Sequence, residues 1–192
     1  MKLEPLLCLS LVLSSLAAQA ALKQGDAAPP FTATASFAGQ PFEYSLKAQL
    51  AKGPVVVYFY PSAFTSGCNL QAHTFSANSE KFAAAGASVV GVSQDSIERL
   101  NSFSADPQYC AGKLAVASDP QGRIARSFEL KVSGAVQGAT DTRGQEIDHG
   151  FTERTTFIIK PDGTVGAAIG GVDPEANVMQ ALKAVQQMTA AR

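Results

Sequence analysis

Pro61, Thr65 and Cys68 stand four and three residues apart in Tyr58-Phe59-Tyr60-Pro61-Ser62-Ala63-Phe64-Thr65-Ser66-Gly67-Cys68. Each residue type has a chemical use there. A thiol is a poor nucleophile and its thiolate a good one. The residues after Cys68 have helical spacing, so the sulfur sits in a first turn, where unpaired N–H groups and a partial positive charge favour the thiolate. Thr65 can donate its hydroxyl to that sulfur or to a bound oxygen, or serve as a helix cap. Pro61 has no N–H and can shield the sulfur without adding a donor. The pattern points to cysteine redox chemistry rather than to a packed core thiol.

The chain has three cysteines, Cys8, Cys68 and Cys110. Cys8 lies in an apolar run, Leu6 to Leu16, that follows Lys2 and precedes Ala18-Gln19-Ala20. A basic start, a short apolar stretch and a small-x-small site describe a secretory signal peptide. Residues 1–20 are therefore expected to be removed, leaving a single domain over 21–192, exported to a periplasm or beyond and free of the membrane after cleavage. The mature chain then holds Cys68 and Cys110. In an oxidising compartment they form either a structural disulfide or a redox-active pair, and composition does not choose between the two.

The elements that must position Cys68 follow from hydrophobic period. Val55 to Tyr60 is a short, continuous, β-branched and aromatic run, as expected of a central strand covered on both faces. Cys68, Ala72, Phe75, Ser79 and Phe82 lie on one face of a single helix that stops near Gly86. Phe31 to Ser36 and Pro41 to Tyr44 flank Gly39-Gln40 as a hairpin. Ser45 caps a short helix to Leu50. Ser88 to Val92 is a second buried strand, and Asp95 or Ser96 caps a helix that turns Ile97, Leu100 and Phe103 inward. That helix breaks at Asp106-Pro107. Leu114 to Ala117 is a third strand, Asp119 to Gly122 a turn, and Arg123 to Leu130 a short helix. Val132 to Phe151 is a long loop. Thr155 to Ile159 and Val165 to Ile169 flank Pro161-Asp162-Gly163-Thr164, and Asp173-Pro174-Glu175 starts the last helix. Alternating strands and helices ending in a hairpin make an α/β domain with a mixed central sheet and helices on both faces.

With a net charge of −1 and no run of Lys or Arg, nothing marks a nucleic-acid surface. His73 and His149 lack ligand spacing, so no metal site is expected.

The segment from Pro61 to Cys68 resembles the peroxiredoxin signature Pro-x-x-x-Thr/Ser-x-x-Cys. The resemblance continues in order through Ala21 to Phe31, Gly91 to Ser96, Ser118 to Gly122 and Arg154 to Gly163, and so covers essentially the whole mature chain. It is strongest to the peroxiredoxin Q or bacterioferritin-comigratory subgroup. It implies a thioredoxin-like fold, reduction of hydrogen peroxide and organic hydroperoxides, a thioredoxin-like dithiol reductant, a monomer or homodimer, and no cofactor. Arg154 matches the family's active-site arginine. Arg123 and Arg126 are rivals on chemistry alone, but sit on a short helix expected to be exposed.

Three departures stand out. Ser66 replaces a common Pro. Gln71 replaces a common Glu, so that Glu's contact with the arginine is not implied here. His73 stands where many members carry their second cysteine. Cys110 remains as the resolving thiol, as in the members that place it in the following helix. Two other readings stay open: a thiol–disulfide oxidoreductase on the same fold, for which Thr65-Ser66-Gly67-Cys68 lacks the first Cys of Cys-x-x-Cys, and a non-catalytic domain with a structural disulfide.

Overall fold

The computed structural model describes residues 21–190. The expected signal peptide lies outside the described residues. Seven strands form one sheet in the order β2-β1-β5-β4-β3-β6-β7. They are β1 (Thr32–Phe37), β2 (Gln40–Ser45), β3 (Val55–Phe59), β4 (Ser88–Ser93), β5 (Ala115–Ser118), β6 (Thr155–Ile159) and β7 (Val165–Gly170). The helices are α1 (Leu46–Leu50), α2 (Ser66–Ala77), α3 (Ser79–Ala84), α4 (Ile97–Ala105), α5 (Arg123–Ser127) and α6 (Pro174–Ala190).

The sheet is built outward from β3, every residue of which is buried. It pairs in parallel with β4 and antiparallel with β6. Its side chains alternate between two cores, as a period of two requires. Val56 and Tyr58 point toward α2, α4 and α6, among Phe75, Phe103, Val178 and Leu182. Val55, Val57 and Phe59 point the other way, toward Leu46 of α1, Ala125 of α5, Phe128 and Phe157. Each large side chain buried there is worth about 1.5–3 kcal/mol. Truncating Phe59, in contact with both Phe128 and Phe157, would cost about 3–5 kcal/mol.

Both expected hairpins form, and Ser45 Oγ accepts from the Ala48 N–H to cap α1. Two local expectations need correction, and one pair of alternatives is resolved. The stripe from Cys68 to Phe82 runs over two helices: the chain leaves helical geometry at Asn78 (φ −104°, ψ 9°), whose side-chain amide donates to the Thr74 carbonyl. A short amide side chain competing for backbone partners interrupts a helix in this way. The stripe still faces the core, because α3 resumes with Phe82 inward. Of the two candidate caps for α4, Ser96 accepts from the Arg99 N–H, and Asp95 is used elsewhere. The helix from Arg123 ends at Ser127 rather than Leu130, before Glu129 at φ +60°.

Candidate active site

The C-terminal end of β3 meets three segments. Tyr60 donates its N–H to the Val92 carbonyl, which carries the strand pairing one residue further. Pro61 then stops it, and Ser62 to Thr65 lead into α2. Because Phe59 pairs with Thr155 in antiparallel register, Arg154 falls beside the start of α2. Sheet register, not sequence proximity, brings Arg154 to Cys68.

Cys68 is the third residue of α2, buried, with a free thiol. Arg154 Nη2 donates to its Sγ at 3.3 Å. Gly67 makes the approach possible, since a Cβ there would stand 3.2 Å from the same Nη2. Thr65 holds the N-cap position in extended geometry without capping, and its hydroxyl donates to the Ser62 carbonyl at 2.9 Å. The expected hydroxyl bond to sulfur is thus absent in this state. Pro61 is half-buried on the same loop.

Arg154 does contact residue 71, a contact that the replacement of Glu by Gln left open. Its Nη1 donates to Gln71 Oε1. Gln71 Nε2 donates to Asn177 Oδ1 at 3.0 Å, and Asn177 Nδ2 donates to the Ile169 carbonyl at 3.0 Å. Thr156 Oγ1 donates to Asn177 Oδ1 at 2.6 Å. The direction of this chain is forced, because the guanidinium can only donate and the Ile169 carbonyl can only accept. Each amide between them has one orientation that satisfies both neighbours. A neutral Gln71 orients Arg154 without cancelling its charge.

Asp95 organises the other side of the loop. It is fully buried at the exit of β4. Its carboxylate accepts from Ser62 Oγ (2.9 Å), Ala63 N (2.8 Å), Ser93 Oγ (2.6 Å) and His149 Nε2 (2.8 Å), and Arg99 Nε pairs with it at 2.9 Å. Burial alone would push the Asp95 carboxyl up. The hydrogen bonds, His149's first, outweigh it and hold the group below its ordinary value. His149 Nδ1 lies 2.7 Å from the Gly150 carbonyl. Both ring nitrogens face acceptors, which fits an imidazolium. Burial would lower its pKa, but the Asp95 contact outweighs that and raises it.

Cys110 is elsewhere. It is buried in the turn after α4, a free thiol in the same apolar cluster as Cys68. Burial pushes its pKa far up, with Asp106 adding to the shift. His73 Nδ1 lies 3.0 Å from the Gln108 carbonyl, tying α2 to that turn. Tyr58 packs against Phe75 at 4.5 Å between ring centres. Burial drives its phenol well above the ordinary range, and the Cys110 and Cys68 thiols add to the effect. Arg123 and Arg126, the rival arginines, stay on α5 against the opposite core, and Arg126 bonds the Gln121 carbonyl.

Of the five residues singled out in the sequence, Cys68 and Arg154 are in direct contact, Thr65 and Pro61 lie on the loop before Cys68, and Cys110 is an unbonded thiol in the turn after α4. The sequence does not mark Asp95, His149 or Asn177 as site residues, and it marks Gln71 only as a departure from the family's Glu. The one signal for Asp95 was its place at a strand exit.

A profile of the AhpC/TSA family matches residues 24–168. Peroxiredoxin Bcp of Escherichia coli strain K12 is 31% identical over 144 residues, which is 75% of this chain and 83% of that protein. Among solved structures, peroxidoxin BcpB of Mycobacterium tuberculosis superposes with a TM-score of 0.72 at 28% identity, covering 87% of this chain and 98% of that one. The Xanthomonas campestris bacterioferritin comigratory protein gives 0.66 at 27% identity, covering 88% and 99%.

Proposed function

Because the chain belongs to the AhpC/TSA family, the peroxiredoxins, and is a thiol-dependent peroxidase, we propose that Cys68 is its nucleophile and Cys110 its resolving thiol. The observation that carries this reading is the 3.3 Å contact between Arg154 Nη2 and the Cys68 sulfur at a helix start. A fixed guanidinium beside a first-turn sulfur places positive charge where the oxygens of a bound peroxide gain negative charge.

The thiolate attacks the terminal oxygen of the hydroperoxide. The O–O bond breaks, the other oxygen leaves as water or an alcohol after taking a proton, and Cys68 becomes a sulfenic acid. Arg154 stabilises charge on the oxygens as the bond breaks. Thr65, its proton committed to the Ser62 carbonyl, offers lone pairs toward the site and can take a hydrogen bond from the peroxide O–H. Pro61 limits access of water. Cys110 then loses its proton, its sulfur attacks that of Cys68, and hydroxide leaves as water. A thioredoxin-type dithiol reduces the disulfide by exchange. The Xanthomonas campestris relative is described with an alkyl peroxide reduction activity, which supports organic hydroperoxides as substrates here.

Peroxide consumption with a dithiol reductant tests the assignment. Cys68→Ser should abolish it and Cys110→Ser should leave the first turnover. Full activity in Cys68→Ser would overturn the choice of nucleophile. We further propose export, on the strength of the apolar run before Ala18-Gln19-Ala20. N-terminal sequencing of the protein from its host should begin at Ala21, and a mature chain starting at Met1 would refute it.

A further inference from the structure

The long loop 132–151 crosses the Cys68 loop at Phe64. Phe64, four residues before Cys68, has φ +63°. A bulky side chain keeps that left-handed conformation only where its surroundings hold it. Here the holder is the loop. The Thr142 N–H donates to the Phe64 carbonyl at 2.9 Å, and Thr142 Oγ1 donates to the same oxygen at 2.7 Å. Asn69 Nδ2, on α2, reaches Thr142 Oγ1 at 3.4 Å.

The neighbours of Thr142 fix its position. Asp141 is buried and accepts from Arg99 Nη2 (2.7 Å) and Arg143 Nη2 (2.8 Å). Arg99 Nη2 also donates to the Ala63 carbonyl at 3.0 Å, and the Arg143 guanidinium lies 3.2 Å from the centre of the Phe64 ring. The backbone of Phe64 and its ring are therefore both held by residues 141–143. The same ring packs on Phe103 and Tyr109, at 5.0 and 5.8 Å between ring centres, and Tyr109 precedes Cys110. One side chain joins the Cys68 loop, the strap above it and the segment that buries Cys110.

We infer that residues 141–143 act as a strap on the oxidised site, with Thr142 as a positioning residue whose release from Phe64 lets Cys110 reach the Cys68 sulfenic acid. The inference rests on the reading of Cys110 as the resolving thiol. While the strap holds, Phe64 and Tyr109 keep Cys110 buried, and the sulfenic acid is open to a second peroxide that takes it to sulfinic acid. When it lets go, Phe64 relaxes to negative φ and Tyr109 loses its support. The strap thus sets the balance between disulfide formation and overoxidation.

The test measures opening without requiring the disulfide. In a Cys68→Ser background, alkylation of Cys110 by N-ethylmaleimide should speed about fivefold on Thr142→Val, the size of one lost hydrogen bond. Thr142→Ser, which keeps the hydroxyl, should return the rate most of the way. Thr140→Val, the same exchange on an exposed neighbour in the loop, should change nothing. With Cys68 present, Thr142→Val should yield about fivefold less sulfinic acid per disulfide at high peroxide. Equal alkylation of Cys110 in the Thr142→Val and parent proteins, or an equal gain in Thr140→Val, overturns the strap. Wild type that forms no disulfide overturns the role of Cys110, a result read on a different sample.

Discussion

The two thiols share one apolar cluster but not one environment. Cys68 opens a helix beside a guanidinium whose own direction is set by Gln71 and Asn177. Cys110 lies in a turn, enclosed, with its ionisation pushed far up by burial. On the proposed roles, the first reacts in the folded protein, while the second reacts only after its surroundings open. Chemical division of labour between identical side chains is thus written in their neighbours. With Cys68 as the proposed nucleophile and Cys110 as the proposed resolving thiol, the contrast also separates the two halves of the cycle: attack would depend on rigidity around Cys68, and resolution on the ease of opening around Cys110.

Removing the guanidinium is the strongest way to break the contrast. Arg154→Ala should lower kcat/KM for peroxide by about 10²–10³-fold, the scale for losing one preorganised charge-stabilising donor. A loss below tenfold would mean that the helix start alone prepares Cys68. Arg154→Lys should restore little, since a point charge cannot reach both Cys68 and Gln71 as the two-armed guanidinium does.

The orienting chain should show a smaller effect. Asn177→Leu removes the acceptor for Gln71 and frees Arg154 to swing, with an expected loss of about fivefold to tenfold in kcat/KM. Gln71→Glu presents a carboxylate oxygen to Asn177 Oδ1 where an N–H now stands, and adds a charge that competes for Arg154. Peroxide reduction should slow by a similar factor, and the deficit should narrow at low pH, where the new carboxyl group, once protonated, can again donate to Asn177. A pH-independent deficit would show that orientation, not charge, is lost.

The smallest expected effect is on stability against pH, through the loop under Cys68. Asp95 has its carboxyl held below the ordinary value, so its contribution is complete above about pH 4 and drains as pH falls further. His149 is raised, so its contribution is complete below about pH 6.5 and is lost as pH rises through its folded value. Urea midpoints should therefore peak between these limits. His149→Gln should cost about 1–2 kcal/mol near pH 6 and flatten the alkaline decline, leaving the acid one. An alkaline decline unchanged by the substitution would place its origin elsewhere.

How much of this was legible follows the range of the interactions. The strand Val55 to Phe59, the two hairpins and the inward stripe from Cys68 to Phe82 are local periodicities and stand in the sequence. So does the loop from Pro61 to Cys68, because its parts are adjacent. Arg154 came only from family resemblance, since a register between β3 and β6 places it. Asn177, 106 residues from its partner Gln71, carries no local mark. His149 looked like an ordinary loop residue, because its partner Asp95 is 54 residues away. Asp95 itself reads as a helix cap until Ser96 is seen to take that place. Asn78 ends a helix in the middle of a stripe with continuous helical spacing, a competition that hydrophobic period does not register.

The most direct test of the division between the thiols is the intact mass of the reduced protein after one equivalent of hydrogen peroxide. Wild type should become lighter by two hydrogens and gain no oxygen, and Cys110→Ser should gain one oxygen, trapped at Cys68. Wild type that also carries a stable added oxygen would contradict it, because Cys110 would then be a bystander to the chemistry of Cys68.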